Sequence, residues 1–250
     1  MGQYSKIGWT DHTQNFWWGC NKVSEECRHC YIASIMRRGG YEPFAGPIRT
    51  KNWNNPYRWN RVAESDQQRL RIFTCSMSDF FHPSADPWRN EAWEVIRDCE
   101  WLDWLILTKR PELIWDRLPA DWGSGYENVW LGVTAGCKKS LSRVEELVQI
   151  PAAIRFVSAE PLLEKVNFRP YLSDLNWVIT GCERAKKGVR RLMDLDWVRQ
   201  IQADCDDAMV PHFFKQYYQN DVGIPVEDGL LDGKVQQQWP RNRHPLQLTH

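Results

Sequence analysis

Residues 71–108 read RIFTCSMSDFFHPSADPWRNEAWEVIRDCEWLDWLILT. A run of β-branched and aromatic residues (RIFTCS, 71–76) gives way to PWRNEAWEVIRDC (87–99), and a second apolar run follows (DWLILT, 103–108). In the middle part Trp88, Ala92, Val95 and Ile96 recur at the spacing of one helix face, after a proline suited to a first turn. The flanking runs fit strands buried on both faces, which a parallel sheet with crossover helices requires. The stretch is therefore a strand–helix–strand unit.

The same alternation continues outward. Strands are predicted at NVWLGVT (128–134), AIRFVS (153–158), NWVITG (176–181) and PHFFK (211–215), and an earlier one at NFWWG (15–19). SLSRVEELVQI (140–150) and DLDWVRQIQADCDDA (194–208) are predicted helices, the second with Asp194 or Asp196 as its N-cap. Seven strands with intervening helices imply a single α/β domain over residues 1–250, a partial or irregular TIM-like (β/α) barrel. Chemistry in such a fold gathers at the C-terminal ends of the strands. A doubly wound open sheet is the rival, but no G-x-G-x-x-G or P-loop marks a strand–helix junction. Residues 38–69 are polar and punctuated by Gly and Pro, so a lid or insertion is expected there, with an irregular tail from about 219.

The 250 residues are 42% hydrophobic, enough for a substantial core. Thirty-two basic and 32 acidic residues cancel, so no overall field draws the chain to nucleic acid or an anionic membrane. With no signal-like or membrane-length apolar run, the expectation is a soluble, cytoplasmic protein without a membrane partner. In a reducing compartment the eight cysteines favour metal or catalytic use over disulfides. Of the 15 tryptophans, Trp177 and Trp104 read as core. Trp17, Trp18, Trp53 and Trp59 lie in turn-rich stretches where they could flank a ligand, although core packing is the better reading for each.

Cys20, Cys27 and Cys30 form a C-x6-C-x2-C loop after the first predicted strand. Soft thiolates suit iron, and three of them leave one iron of a cubane cluster without a protein ligand. This loop resembles that of the radical S-adenosylmethionine superfamily. More closely, the stretches GCNKVSEECRHCYI, SMSDFFH, LTKRPE, NVWLGVT, RFVSAEPLL, WVITGCE, VPHFFKQ and LDGKVQQQWP are similar to a small phage-associated branch of it. The superfamily's usual loop has three residues between the first two cysteines and an aromatic before the third; here there are six residues and His29. Where the branch tends to carry a Gly-Gly-Glu-Ser-Gly-like turn, this chain has Gly181-Cys182-Glu183-Arg184-Ala185.

The resemblance implies a barrel of the radical S-adenosylmethionine type holding a [4Fe-4S] cluster on Cys20, Cys27 and Cys30, with S-adenosylmethionine on the open iron. A 5′-deoxyadenosyl radical would then abstract hydrogen from a substrate, with a flavodoxin or ferredoxin as electron donor. His29 and Tyr31 are expected beside the adenine, and Ser76, Ser78 and Asp79 near the ammonium group. Lys109 or Arg110 is expected at the carboxylate and Glu160 at the ribose; Thr134 and Glu183 complete the polar strand ends. Cys182 is a candidate hydrogen donor whose rival reading is a packed thiol. The phage association implies a nucleobase substrate in DNA or RNA, a modified thymidine included.

The remaining residues have plainer readings. Cys75, Cys99 and Cys205 are expected in the core, and His82 and His212 as hydrogen-bonded structural histidines. The basic run from Arg184 to Arg191 is read either as a phosphate contact or as a solvated loop. A structural zinc site built from the three cysteines with His29 or His12, in a non-catalytic nucleic-acid-binding protein, is the main alternative. An ordinary barrel hydrolase or lyase lacks a recognisable nucleophile–base pair or H-E-x-x-H.

Overall fold

The structure, a computed structural model, describes residues 5–218 and 225–240. Strands β1 (His12–Gln14), β2 (Trp17–Trp18) and β3 (Ile48–Arg49) come first, with helix α1 (Ile32–Arg38) between β2 and β3. Helix α2 (Asn55–Ser65), strand β4 (Leu70–Thr74), helix α3 (Asp86–Asp98), and strands β5 (Leu102–Thr108) and β6 (Val129–Thr134) follow. Then come α4 (Ser142–Leu147), β7 (Ile154–Ala159), β8 (Trp177–Gly181), α5 (Leu195–Asp207), β9 (His212–Gln216) and the hairpin β10 (Leu230–Leu231) and β11 (Lys234–Val235).

Seven strands form one sheet in the order β1-β4-β5-β6-β7-β8-β9, every neighbouring pair parallel. In a flat sheet β4 and β8 would stand about 19 Å apart, four strand spacings. Yet the Trp9 ring lies 4.7 Å from Phe73 on β4 and 6.1 Å from Trp177 on β8. The sheet is therefore curled into a half-barrel around an inner cluster of Trp9, Phe73, Leu105, Trp130, Phe156, Trp177 and Phe213. Removing one of these aromatics should cost about 3–5 kcal/mol, the usual loss for a buried ring.

Strands β1 and β9 do not pair, and residues 236–239 run along β9 and reach Arg71 of β4. Phe214 N donates to Gln236 O (2.6 Å) and Gln238 N to His212 O (3.0 Å), laying residues 236–238 along β9. Trp239 packs on Phe213 and lies under the Arg71 guanidinium of β4. On the outer face α2, α3, α4 and α5 cover the sheet over a second, larger core. Asp194 caps α5, accepting from Asp196 N at 2.9 Å.

The placement of the first strand needs correction. The first strand of the sheet is His12–Gln14 rather than 15–19, and Trp17–Trp18 pairs instead with β3 in a separate antiparallel ribbon. The chain breaks at Asn15, whose side chain accepts from Met77 N (2.8 Å), and the polar sequence HTQ gives no strand signal. Much of the 38–69 segment is helix α2, whose Pro56, Trp59 and Ala63 are buried against the sheet. Trp17, Trp53 and Trp59 are core residues, as favoured for each of them, and Trp18 is half-buried. The tail expected from 219 lies partly outside the described residues; its described part carries the β10–β11 hairpin.

Candidate active site

A cavity of about 750 Å³ opens at the C-terminal ends of the parallel strands. Cys20, Cys27 and Cys30 line it, and the loop that carries them is shaped locally by tight geometry. Gly19 takes φ +96°, which favours glycine, and any Cβ there would run into the Gly46 carbonyl. Gly19 N donates to Met77 O (3.0 Å), Ser78 Oγ donates to Gly19 O, and Cys20 N to Pro43 O (3.4 Å). A 3-10 turn at Glu25–Cys27 then leads through Tyr31 into α1.

The electrostatics of the three thiols differ. Burial pushes the Cys20 thiol up to about 12, with the Asp79 charge adding to it, and burial also raises Cys30. At Cys27 burial is outweighed by the Lys109 charge and by hydrogen bonds from Val23 and Ser24, so its pKa falls below the ordinary 9.0. Lys109 acts on all three thiols in the lowering direction. Among the described residues no three His, Cys, Asp or Glu side chains meet as ligands of a single ion.

His29, Tyr31, Ser76, Ser78, Asp79, Lys109 and Arg110 also border the cavity, as do Thr134, Glu160, Cys182 and Glu183. Many are already engaged. Tyr31 OH donates to Ser76 O (2.7 Å), and Ser76 Oγ pairs with the Asn15 amide (3.2 Å). Asp79 accepts from Thr108 Oγ1 (2.7 Å), Lys109 N (3.0 Å) and Phe81 N (3.0 Å). Glu160 accepts from Lys215 Nζ (2.5 Å) and Gln216 Nε2 (3.3 Å). Glu183 Oε2 takes His29 Nδ1 at 2.9 Å and Arg191 N at 2.9 Å, and Arg191 Nη2 meets Glu183 Oε1. Burial would raise the Glu183 carboxyl, but the Arg191 and His29 bonds hold it below its ordinary value.

Of four buried wall atoms without hydrogen-bond partners, Trp9 Nε1, Glu26 Oε2, Arg110 Nη1 and Thr134 Oγ1, the last two stand among the polar strand ends. Buried polar groups are almost always paired, so both ask for a ligand acceptor or donor. A guanidinium and a hydroxyl suit a carboxylate and a sugar hydroxyl. Three thiols on one loop, a shared ammonium and these orphan atoms thus form a donor set that fits an iron–sulfur cluster with a zwitterionic nucleoside cofactor. The apolar side chains of Ile7, Trp9, Phe73 and Leu107 line the rest.

Cys182 is 2% exposed and burial pushes its thiol up to about 12. Cys99 and Cys205 are fully buried; Cys75 is buried too but borders the cavity. His82 pairs with Asn21 Oδ1 (2.5 Å), and His212 with Thr180 Oγ1 (2.9 Å). The arginines of the basic run turn to the protein: Arg184 pairs with Glu227, Arg190 stacks on Tyr218, and Arg191 meets Glu183 and Glu25. Lys186 and Lys187 remain exposed.

Sequence reading missed Glu26 and Arg143. Glu26 Oε1 lies 3.2 Å from Arg143 Nη1 and accepts from Gly136 N at 3.4 Å. Burial would raise this carboxyl, but the Ser24 hydroxyl and the Arg143 charge bring it down to about 2. In sequence Glu26 looks like a solvated loop acid beside Glu25; its place before Cys27 was the one available signal.

Among the described residues no helix is long and apolar enough to cross a membrane. A family model described as "Protein of unknown function (DUF5131)" matches residues 4–240. No curated protein matches the chain. Among solved structures, a spore photoproduct lyase complexed with dinucleoside spore photoproduct is similar at 11% identity and a TM-score of 0.48. The likeness covers 82% of this chain and spans 63% of the length of that one.

Proposed function

We propose that this chain, which belongs to the family of proteins of unknown function DUF5131, is a radical S-adenosylmethionine enzyme that modifies a nucleobase. The observation that carries this reading is that the three cysteines of one loop and the polar strand ends face a single cavity at the mouth of a parallel half-barrel. Cys20, Cys27 and Cys30 would hold a [4Fe-4S] cluster, with S-adenosylmethionine as its cofactor. When bound, the pair would supply one-electron reductive chemistry able to remove hydrogen from a substrate.

The chain's own residues do the rest. Lys109 offsets thiolate charge near the cluster, and Arg110 donates Nη1, which faces Asp79 at 3.8 Å but makes no hydrogen bond within the chain, to the methionyl carboxylate. Thr134, with Glu160, serves hydroxyls, while Ser76, Ser78 and Asp79 face the ammonium through atoms left over from their structural bonds. His29 and Tyr31 flank the adenine. Cys182 stands at the wall as a hydrogen donor to a substrate radical. The apolar side of the cavity receives a flat base and excludes water from the reacting centre. A nucleobase of DNA or RNA, including a modified thymidine of phage DNA, is the substrate class, and a flavodoxin or ferredoxin supplies the electron.

The test is anaerobic reconstitution with iron and sulfide, then addition of S-adenosylmethionine and reductant. Wild type is expected to show a cluster spectrum and release 5′-deoxyadenosine, and Cys20→Ser, Cys27→Ser or Cys30→Ser to lose both. Tightly held zinc with no nucleoside product would instead support a structural metal site in a nucleic-acid-binding protein.

A further inference from the structure

The loop from Cys20 to Cys30 has little secondary structure of its own, and fixing each backbone residue costs about 1–2 kcal/mol. Two strand ends supply what the loop lacks. Glu26, with its side chain fully buried, binds Arg143 of α4 at 3.2 Å, and Arg143 Nη1 also donates to Thr134 O at 2.8 Å on β6. Glu183, just past β8, accepts from Arg191 and from His29 Nδ1. Arg191 Nη2 reaches on to Glu25 O (2.9 Å) and Nη1 to Glu25 Oε2 (3.3 Å). Residues 25, 26 and 29 are thus tied to two different strands, on both sides of Cys27.

We propose that these two carboxylate–guanidinium clamps, Glu26 with Arg143 and Glu183 with Arg191, hold the cysteine loop in the shape that receives the cluster. The proposal rests on the radical-enzyme reading and adds four positioning residues to it. Buried ion pairs are poor sources of stability compared with apolar packing, so their placement at this loop calls for a local role. Groups that orient metal ligands from behind typically govern affinity by 10- to 100-fold.

The test compares full-length wild type, Arg143→Met and Arg191→Met after anaerobic reconstitution. Iron and sulfide per chain are measured, then the rate at which EDTA bleaches the cluster's visible absorbance. Both variants are expected to lose iron about 10- to 100-fold faster, with Arg143→Lys and Arg191→Lys in between. Arg199→Met, which breaks only the surface pairs with Asp196 and Asp232, should match wild type. Ile201→Ala, a core truncation in α5, controls for general destabilisation. Wild-type loss rates in both clamp variants overturn the proposal, as do rates no faster than those of Ile201→Ala at equal melting temperature. Should Arg143→Met fail to fold, Glu26→Gln carries the same comparison. A wild-type chain that builds no cluster overturns the radical-enzyme reading itself.

Discussion

Thr108 Oγ1 donates to Asp79 Oδ1 at 2.7 Å, tying the end of β5 to the loop after β4. The same carboxylate faces Arg110 Nη1 at 3.8 Å, and both charged side chains are almost fully buried. Replacing Asp79 by Ala should cost about 3–5 kcal/mol, because the Arg110 charge is then left buried without its counter-ion. Urea unfolding of the metal-free chain measures this; a loss below about 1 kcal/mol would mean that water screens the pair.

His212 gives the fold a pH dependence. Burial pulls its imidazole from the ordinary 6.5 down to about 4. Between those values the unfolded chain binds a proton that the folded chain refuses, so stability rises with pH across this window. Acidifying from pH 7 to 4 should remove about 3 kcal/mol through this group, levelling off below pH 4. His212→Gln is expected to flatten that part of the stability–pH curve, and an unchanged slope would refute the assignment.

Gly136 is required for a close approach. A Cβ there would collide with the Pro161 carbonyl, and Gly136 O also accepts from Leu163 N at 2.8 Å. Gly136→Ala should therefore destabilise by about 1–3 kcal/mol or more, as overpacking against backbone does. Gly8→Ala, whose Cβ meets Phe213 at an ordinary 3.6 Å, should change stability by less than about 0.5 kcal/mol. Thermal melts of the two variants compare them directly, and equal shifts would contradict the crowding.

If the substrate is a polynucleotide, Lys186 and Lys187 are the cations of the basic run free to meet phosphates. The double variant Lys186→Ala/Lys187→Ala should reduce the slope of log affinity against log salt by roughly 1.5 to 2, the release of two counterions. Fluorescence anisotropy on labelled DNA reads the slope; an unaltered value would remove this segment from the interface.

Strands β5, β6 and β8 were legible because they are mostly apolar on both faces, which leaves a hydrophobic run in the chain, and β4, β7 and β9 from shorter apolar runs. Helices α3 and α5 were legible from face periodicity and their termini. Strand β1 was not, since His12, Thr13 and Gln14 sit in the sheet through backbone pairing with β4 and carry no apolar signature. Helix α2 hid in a polar segment because Pro56, Trp59 and Ala63 are its main inward residues. The cysteine loop stood out by spacing alone. Its clamps did not: Arg143 lies 117 residues from Glu26 and Arg191 lies 166 from Glu25, and separations of that kind are set by topology rather than local pattern.

The strip at 236–238 laid along β9 has a consequence for handling the protein. A parallel sheet that fails to close leaves two rims of unpaired amides and carbonyls, an invitation to intermolecular stacking. Here one rim is a three-residue strand of polar side chains and the other is occupied by the chain's own backbone. Cutting the chain after residue 235 should bare that second rim and turn a monodisperse sample into growing oligomers by light scattering.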